Sequence, residues 1–137
     1  MSKQTALQLD HLGIAVSDIE AALDLYSRQL GLAITAIEDV PQQGIRAYHL
    51  KCGETVIELL EATDPEGPIG RFLEKKGPGI HHMALRVENV QTAAQAMSKA
   101  GYRVIGEPST GAGGKTILFL HPASTGGVLL ELCQIRP

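Results

Sequence analysis

Two histidines and two glutamates carry the chemistry this sequence offers. His11 lies in the apolar run Asp10-His11-Leu-Gly-Ile-Ala-Val16, and His82 lies 71 residues on, in His81-His82-Met-Ala-Leu-Arg-Val87. Each has a matching glutamate. Glu58 sits in Thr55-Val-Ile-Glu-Leu-Leu60 and Glu131 in Val128-Leu-Leu-Glu-Leu-Cys133, 47 and 49 residues after their histidines. A carboxylate inside an apolar strand costs free energy unless it is paired, coordinated or solvated in a cavity. Both halves make that choice at the same place. Two imidazoles and two carboxylates form a harder donor set than a thiolate site, and they suit Co, Ni, Mn, Fe or Zn with open positions left over. An octahedral ion held by these four keeps two places for substrate oxygens, which is an arrangement for stabilising an enolate beside a carbonyl. The ordinary reading of a lone strand histidine is a satisfied core or surface residue, and two edge glutamates can simply face water. Recurrence of both types in register favours the ligand set. His81 aligns with Asp10 and by the period of 2 points to the opposite face of its strand, so it is the weaker ligand candidate.

The elements that must position these residues repeat as well. Each histidine segment is followed by Asp18 or Asn89 and then by an apolar stripe at i, i+3, i+4, i+7. The first stripe is Ile19, Ala22, Leu23, Tyr26 and Leu30, and the second is Val90, Ala93, Ala94 and Met97. Ser17-Asp-Ile-Glu20 has capping-box spacing, with Asp18 as the other cap. Both helices end at a glycine, Gly31 and Gly101, as a left-handed C′ residue requires. Three strand-like runs follow in each half: Leu32–Glu38, Ile45–Lys51 and Thr55–Glu61, then Tyr102–Gly106, Thr116–His121 and Val128–Gln134. The turn signals between them are Pro41-Gln-Gln-Gly44, Cys52-Gly53, Pro108 to Gly114, and Ser124-Thr-Gly-Gly127. The expectation is an α+β chain of two tandem βαβββ units related by a pseudo-twofold. It comprises two four-stranded sheets with a concave site between the halves. The span 1–137 reads as a single domain, with repeat 1 at about 8–61, a connector at 62–79 and repeat 2 at about 80–135. The connector should hold one short helix, Ile69 to Lys76.

Bulk properties exclude several roles. A formal charge of −3 with no cluster of Lys and Arg gives no footprint for nucleic acid. No stretch approaches the ~20 apolar residues of a membrane span, and Met1 to Asp10 has no apolar leader core. Cys52 and Cys133 are far apart with no CxxC spacing, and read as two small buried apolar residues. The chain is expected to be cytoplasmic.

Three further stretches identify a family. They are Pro68-Ile-Gly-Arg-Phe-Leu-Glu-Lys-Lys-Gly-Pro-Gly-Ile-His-His-Met83, Gly111-Ala-Gly-Gly-Lys115, and Phe119-Leu-His-Pro122 with Gly127-Val-Leu-Leu-Glu-Leu132. Together with the paired units they resemble the glyoxalase-like vicinal oxygen chelate superfamily and, within it, the methylmalonyl-CoA epimerase family. The resemblance covers residues 8 to 135. It implies interconversion of the (2R) and (2S) forms of methylmalonyl-CoA by a homodimer carrying Co2+ or another divalent ion such as Zn2+, Mn2+ or Ni2+. It puts His11, His82 and Glu131 on metal-ligand positions. The remaining ligand position is Gln in some members and Glu58 here. Gly114, Lys115 and His121 fall where substrate contacts are expected, and the exposed N–H groups of the turn from Gly111 to Gly114 suit an anionic group. That stretch also reads as a plain hairpin turn.

Epimerisation at C2 needs a base on one face and an acid on the other. Glu131 is the expected proton-transfer residue. Some members of the family use a second glutamate just after the Pro-x-x-Gly turn, but here Arg46, Ala47 and Tyr48 occupy that place. His49 is titratable, but alternation along its run leaves it facing solvent as readily as the site. Glu58 is therefore the expected second carboxylate. A glyoxalase-type isomerase is equally compatible with His, Glu, His, Glu. Against it, His121-Pro-Ala-Ser-Thr-Gly-Gly127 stands where glyoxalase-like chains have an Asp-Pro-x-Gly-Tyr turn. An extradiol dioxygenase would use a two-histidine, one-carboxylate iron site and has no place for Glu58. A metal-free binding protein on the same unit would lack the ligand set.

Overall fold

A computed structural model describes residues 6–135. The expected single-domain span, and the N-terminal stretch expected to hold no leader core, extend into residues 1–5 and 136–137, which lie outside the described residues. The element order is β1 (Gln8–Val16), α1 (Ile19–Leu23), β2 (Ala33–Val40), β3 (Ile45–Cys52), β4 (Thr55–Ala62), α2 (Pro68–Lys76), β5 (Gly79–Arg86), α3 (Val90–Lys99), β6 (Val104–Thr110), β7 (Thr116–Leu120) and β8 (Leu130–Gln134). Each half is βαβββ, as its periodicity predicts, and the connector holds its one helix. The chain divides into two compact units, His11–His81 and residues 6–10 with 82–135. The division falls inside β1.

The strands run β2-β3-β4-β1-β5-β8-β7-β6 in one mixed sheet, where two separate four-stranded sheets were expected. The reason lies in β1, which uses both of its edges. Along His11–Val16 it pairs in parallel with β4, and the residue just before it donates from the Leu7 amide to the Arg86 carbonyl of β5 at 2.8 Å.

In the His11–His81 unit the helix covers one face of its strands. Val16, Leu23, Tyr48, Leu50 and Leu59 form its core, with Ile14, Ile19, Ala22 and Tyr26 packed on it. Leu30 belongs to the expected stripe but is exposed. The helix continues past Leu23 as a π turn over Asp24–Gln29, and the wider turn rotates later residues off the 3.6-residue stripe. In the other unit Val87, Val90, Ala93, Ala94, Leu118 and Leu132 form the equivalent core, with Met97 and Val104 against it. Here the expected stripe holds throughout, because α3 has no such widening. Gln134 on β8 also serves this face, accepting from the Val90 amide at the start of α3.

Local signals explain the helix ends. Asp18 caps α1 by accepting from the Ala21 amide at 3.2 Å, and Asn89 caps α3 by accepting from the Thr92 amide at 2.8 Å. Gly31 and Gly101 both have positive φ, 79° and 96°, which an L side chain would resist. Most strand ends lie within two residues of expectation, and the boundaries of β6 and β8 show why some move. β6 continues through Pro108 to Thr110, where a turn was expected. It is an edge strand, where a missing amide leaves no ladder partner wanting, and its register shifts between Ile105 and Ser109. β8 begins at Leu130, two residues later than expected, and Val128, just past the glycine turn, is exposed. Of the two cysteines Cys133 is buried as expected, while Cys52 is exposed because it ends β3 at the turn.

The two caps sit at repeat-equivalent positions, so they give a direct test. Asp18→Ala and Asn89→Ala should each lower the unfolding free energy by about 1 kcal/mol, measured by urea denaturation. The double variant should show the sum, because the caps share no partner.

Candidate metal and acid–base site

The helices cover one face of the strands, and the polar groups lie on the other. In the His11–His81 unit, register and alternation set this out strand by strand. Glu58 on β4 lies across from Gly13 on β1 and His49 on β3. His11, two residues before Gly13, shares its face. Leu59 and Ile57, on either side of Glu58, turn to the helix-packed core. The outcome is a buried carboxylate against a buried imidazole. Glu58 is 3% exposed and His11 4%, with Glu58 Oε2 3.4 Å from His11 Nδ1. The same oxygen lies 3.6 Å from His49 Nδ1.

The second unit repeats the construction. Glu131 on β8 lies across from Ala84 on β5 and Phe119 on β7. His82, two residues before Ala84, shares that face, with its Nε2 3.3 Å from Glu131 Oε1. Both are buried, and the Phe119 ring meets His82 edge-on at 5.7 Å. Ala84, Ile117 and Cys133 line this face as a small apolar cluster with Phe119. In each half the residue facing the glutamate across the strand pair, two past the histidine, is small: Gly13 and Ala84. These too are 71 residues apart, a signal available in the sequence that escaped notice there.

His11, His82 and Glu131, all buried, form a group of side chains that could hold a metal ion. Glu58 is not a member of that group; its contacts are with the two imidazoles above. Two imidazole nitrogens and a carboxylate oxygen withdrawn from water are a donor set for a borderline divalent ion, so the residues fit such a group. His81 is outside the group as well. Its ring meets Phe72 of α2 edge-on at 5.0 Å, and burial, with Lys76 nearby, lowers its pKa below the usual histidine value.

The remaining candidates have structural partners. Lys115 donates to Asp10 Oδ2 at 2.5 Å, and Arg86 donates to Asp10 Oδ1 from Nη2 at 2.6 Å and Nε at 3.1 Å. Asp10 has a fully buried side chain, and an ionised carboxylate in that position stands only with close, well-directed partners. Nothing in the sequence flags Asp10, since its repeat partner is His81 and no echo exists. Burial pushes the Cys133 thiol up to about 12, with the Asp10 and Glu131 carboxylates adding to the effect. Gly114, at φ 73°, closes the short turn of Ala112–Gly114 and donates to the Gly111 carbonyl at 3.2 Å. His121 caps the turn at Pro122–Ser124, its Nδ1 accepting from the Ala123 amide at 3.0 Å. Ala47 is fully buried on the Glu58 face. Arg46 and Tyr48 alternate away from it, toward Asp39 and Glu61.

Comparison with known proteins agrees with this construction. The family model described as the glyoxalase/bleomycin resistance protein/dioxygenase superfamily matches residues 10–119. The ethylmalonyl-CoA/methylmalonyl-CoA epimerase of Cereibacter sphaeroides is 42% identical over 131 residues, 93% of this chain and 98% of that protein. The crystal structure of methylmalonyl-CoA epimerase from Mycobacterium tuberculosis superposes with a TM-score of 0.92 at 34% identity, covering 100% of this chain and 93% of that one. A variant of the Streptomyces coelicolor methylmalonyl-CoA epimerase in complex with 2-nitronate-propionyl-CoA gives 0.92 at 34% identity, covering 97% and 100%. The chain belongs to the glyoxalase/bleomycin resistance protein/dioxygenase superfamily and, within it, to the methylmalonyl-CoA epimerase family.

Proposed function

We propose that this chain interconverts the (2R) and (2S) forms of methylmalonyl-CoA, removing the C2 proton on one face and returning it on the other through an enolate. The observation that carries this, beside family membership, is the pairing of a buried glutamate with a buried histidine at equivalent places in both units. His11, His82 and Glu131 would hold a divalent ion, taken here as cobalt, with Glu58 completing the set. When bound, that ion supplies Lewis-acid stabilisation of the carboxylate and thioester oxygens of the substrate.

The protein's own groups account for the proton steps. Glu131 takes or returns the proton on one face of C2. Glu58 serves the other face, because the strand position used by a second glutamate elsewhere in the family holds Ala47, and Ala47 has no proton to give. Both carboxylates are almost wholly withdrawn from water, which strengthens their electrostatic effect on a developing enolate. Gly114, Lys115 and His121 are proposed as substrate contacts around the glycine-rich turn, with Asp10 setting the place of Lys115. No helix among the described residues is long and apolar enough to cross a membrane. The proposal places the enzyme in the cytoplasm as one domain per chain. Exposed Ile34 and Ile37 on the edge strand β2 are the kind of surface that pairs with a second copy in a homodimer.

Proton NMR in D2O with one epimer of methylmalonyl-CoA tests the reaction. Deuterium should appear at C2 and both epimers should accumulate, with chelator stopping both processes and added cobalt restoring them. Turnover of the hemithioacetal of methylglyoxal and glutathione, without C2 exchange in methylmalonyl-CoA, would overturn the assignment. Glu58→Gln should keep its metal, by elemental analysis, yet lower exchange from one epimer by at least about 100-fold, the usual minimum for a general acid–base group. Full exchange from both epimers with metal bound would remove Glu58 from the mechanism.

A further inference from the structure

The Glu58 face holds a histidine that the proposed chemistry leaves without a task. His49 lies on β3 directly across from Glu58 on β4 and from Ala36 on β2, and its side chain is 12% exposed. A carboxylate faces each of its ring nitrogens. Nδ1 is 3.6 Å from Glu58 Oε2, and Nε2 is 3.4 Å from Glu38 Oε1. Glu38, opposite Ala47, is the diagonal neighbour of His49 on the same face, within reach for a long side chain. Glu38, His49 and Glu58 thus form a row of polar side chains across three adjacent strands. No hydrogen bond to Nε2 forms in this arrangement, and a buried ring nitrogen in that condition calls for a role.

We infer that His49, braced by Glu38, is a positioning residue for Glu58, an inference that rests on Glu58 being the second acid–base carboxylate. His11 Nδ1 and His49 Nδ1 approach the same oxygen of Glu58, Oε2, from β1 and β3 on either side. An oxygen flanked by two imidazoles is restrained from rotating about the last bond of the side chain. Rotation there is the motion that would carry the carboxylate off the C2 face of the substrate. Small displacements of a reacting group are expensive, with a shift of ~1 Å able to lower the rate ~100-fold. Ala47 and the residues beside His49 on β3 do not supply it. Ala47 is too short, Tyr48 and Leu50 belong to the helix-packed core, and Arg46 is bonded to Asp39 at 2.8 Å. Glu38 is partly open to solvent at 37% side-chain exposure, so its part is the weaker one, a carboxylate set 3.4 Å from the ring's far nitrogen.

The test compares His49→Ala, His49→Asn and Glu38→Gln with the unaltered holoenzyme. It measures metal content, kcat and KM for methylmalonyl-CoA, and C2 deuterium uptake from each epimer separately. A positioning role predicts unchanged metal content and a kcat lowered about 10- to 100-fold in His49→Ala, the range typical of outer partners, with KM little altered. The loss should fall on the epimer whose proton Glu58 handles and spare the other. His49→Asn, which keeps a donor at the ring's near edge, should recover part of the rate, and Glu38→Gln should show a smaller loss on the same epimer. His49→Asn also serves if the alanine variant fails to fold. Equal losses from both epimers, or none, would overturn the inference. If Glu58→Gln impairs one epimer while the His49 variants impair neither, only the inference fails. If Glu58→Gln impairs neither, the reading beneath it fails too.

Discussion

The structure depends on burying a carboxylate beside an imidazole twice, at Glu58 with His11 and at Glu131 with His82. A buried charge is tolerated only where close partners offset its desolvation, so each pair dictates what its neighbours can be. Strand alternation is the means. Every residue next to a member of these pairs turns to the other face, which is why Leu59 and Leu132 sit in the helix-packed cores. The helices then stay on that side and leave the polar face to the site. Gly13 and Ala84, facing the two glutamates, keep side-chain bulk out of the space in front of the carboxylates. The layout of helices, strands and small residues follows from one electrostatic requirement stated twice.

Much of this was legible in the amino-acid sequence because it was written in duplicate. One histidine in an apolar run is ambiguous. Two at a common spacing, each with its glutamate, are not, and the helix stripes, caps and terminal glycines repeat with them. What could not be read was whatever one half does without the other. The π turn that carries Leu30 out to solvent has no counterpart after Met97. Pro108 signals a turn by its chemistry, yet edge position lets the strand run through it. Asp10 has no echo, and its pairing with Arg86 and Lys115 joins residues 76 and 105 positions apart, beyond any local pattern. His49 is titratable, but alternation alone gives a face only when the strand's register is known, and the register is fixed by its pairing with Glu58.

The two halves are also unequal as chemistry. Glu131 faces His82, Ala84 and Phe119, and Ala84 and Phe119 belong to an apolar cluster with Ile117 and Cys133. Glu58 sits instead in a polar row with His49 and Glu38. Two carboxylates that handle opposite faces of one carbon do not need identical surroundings. A difference of this kind gives each a separate set of partners through which its proton affinity and position can be tuned.

Under the proposed function one ion is held by His11, His82 and Glu131, with Glu58 completing the set. Calorimetric titration of the metal-stripped protein with cobalt, repeated with His11→Ala and His82→Ala, tests this most directly. The account predicts one ion per chain, with tight binding lost in either variant. Two ions per chain, or binding that survives the loss of one histidine at undiminished affinity, would contradict it.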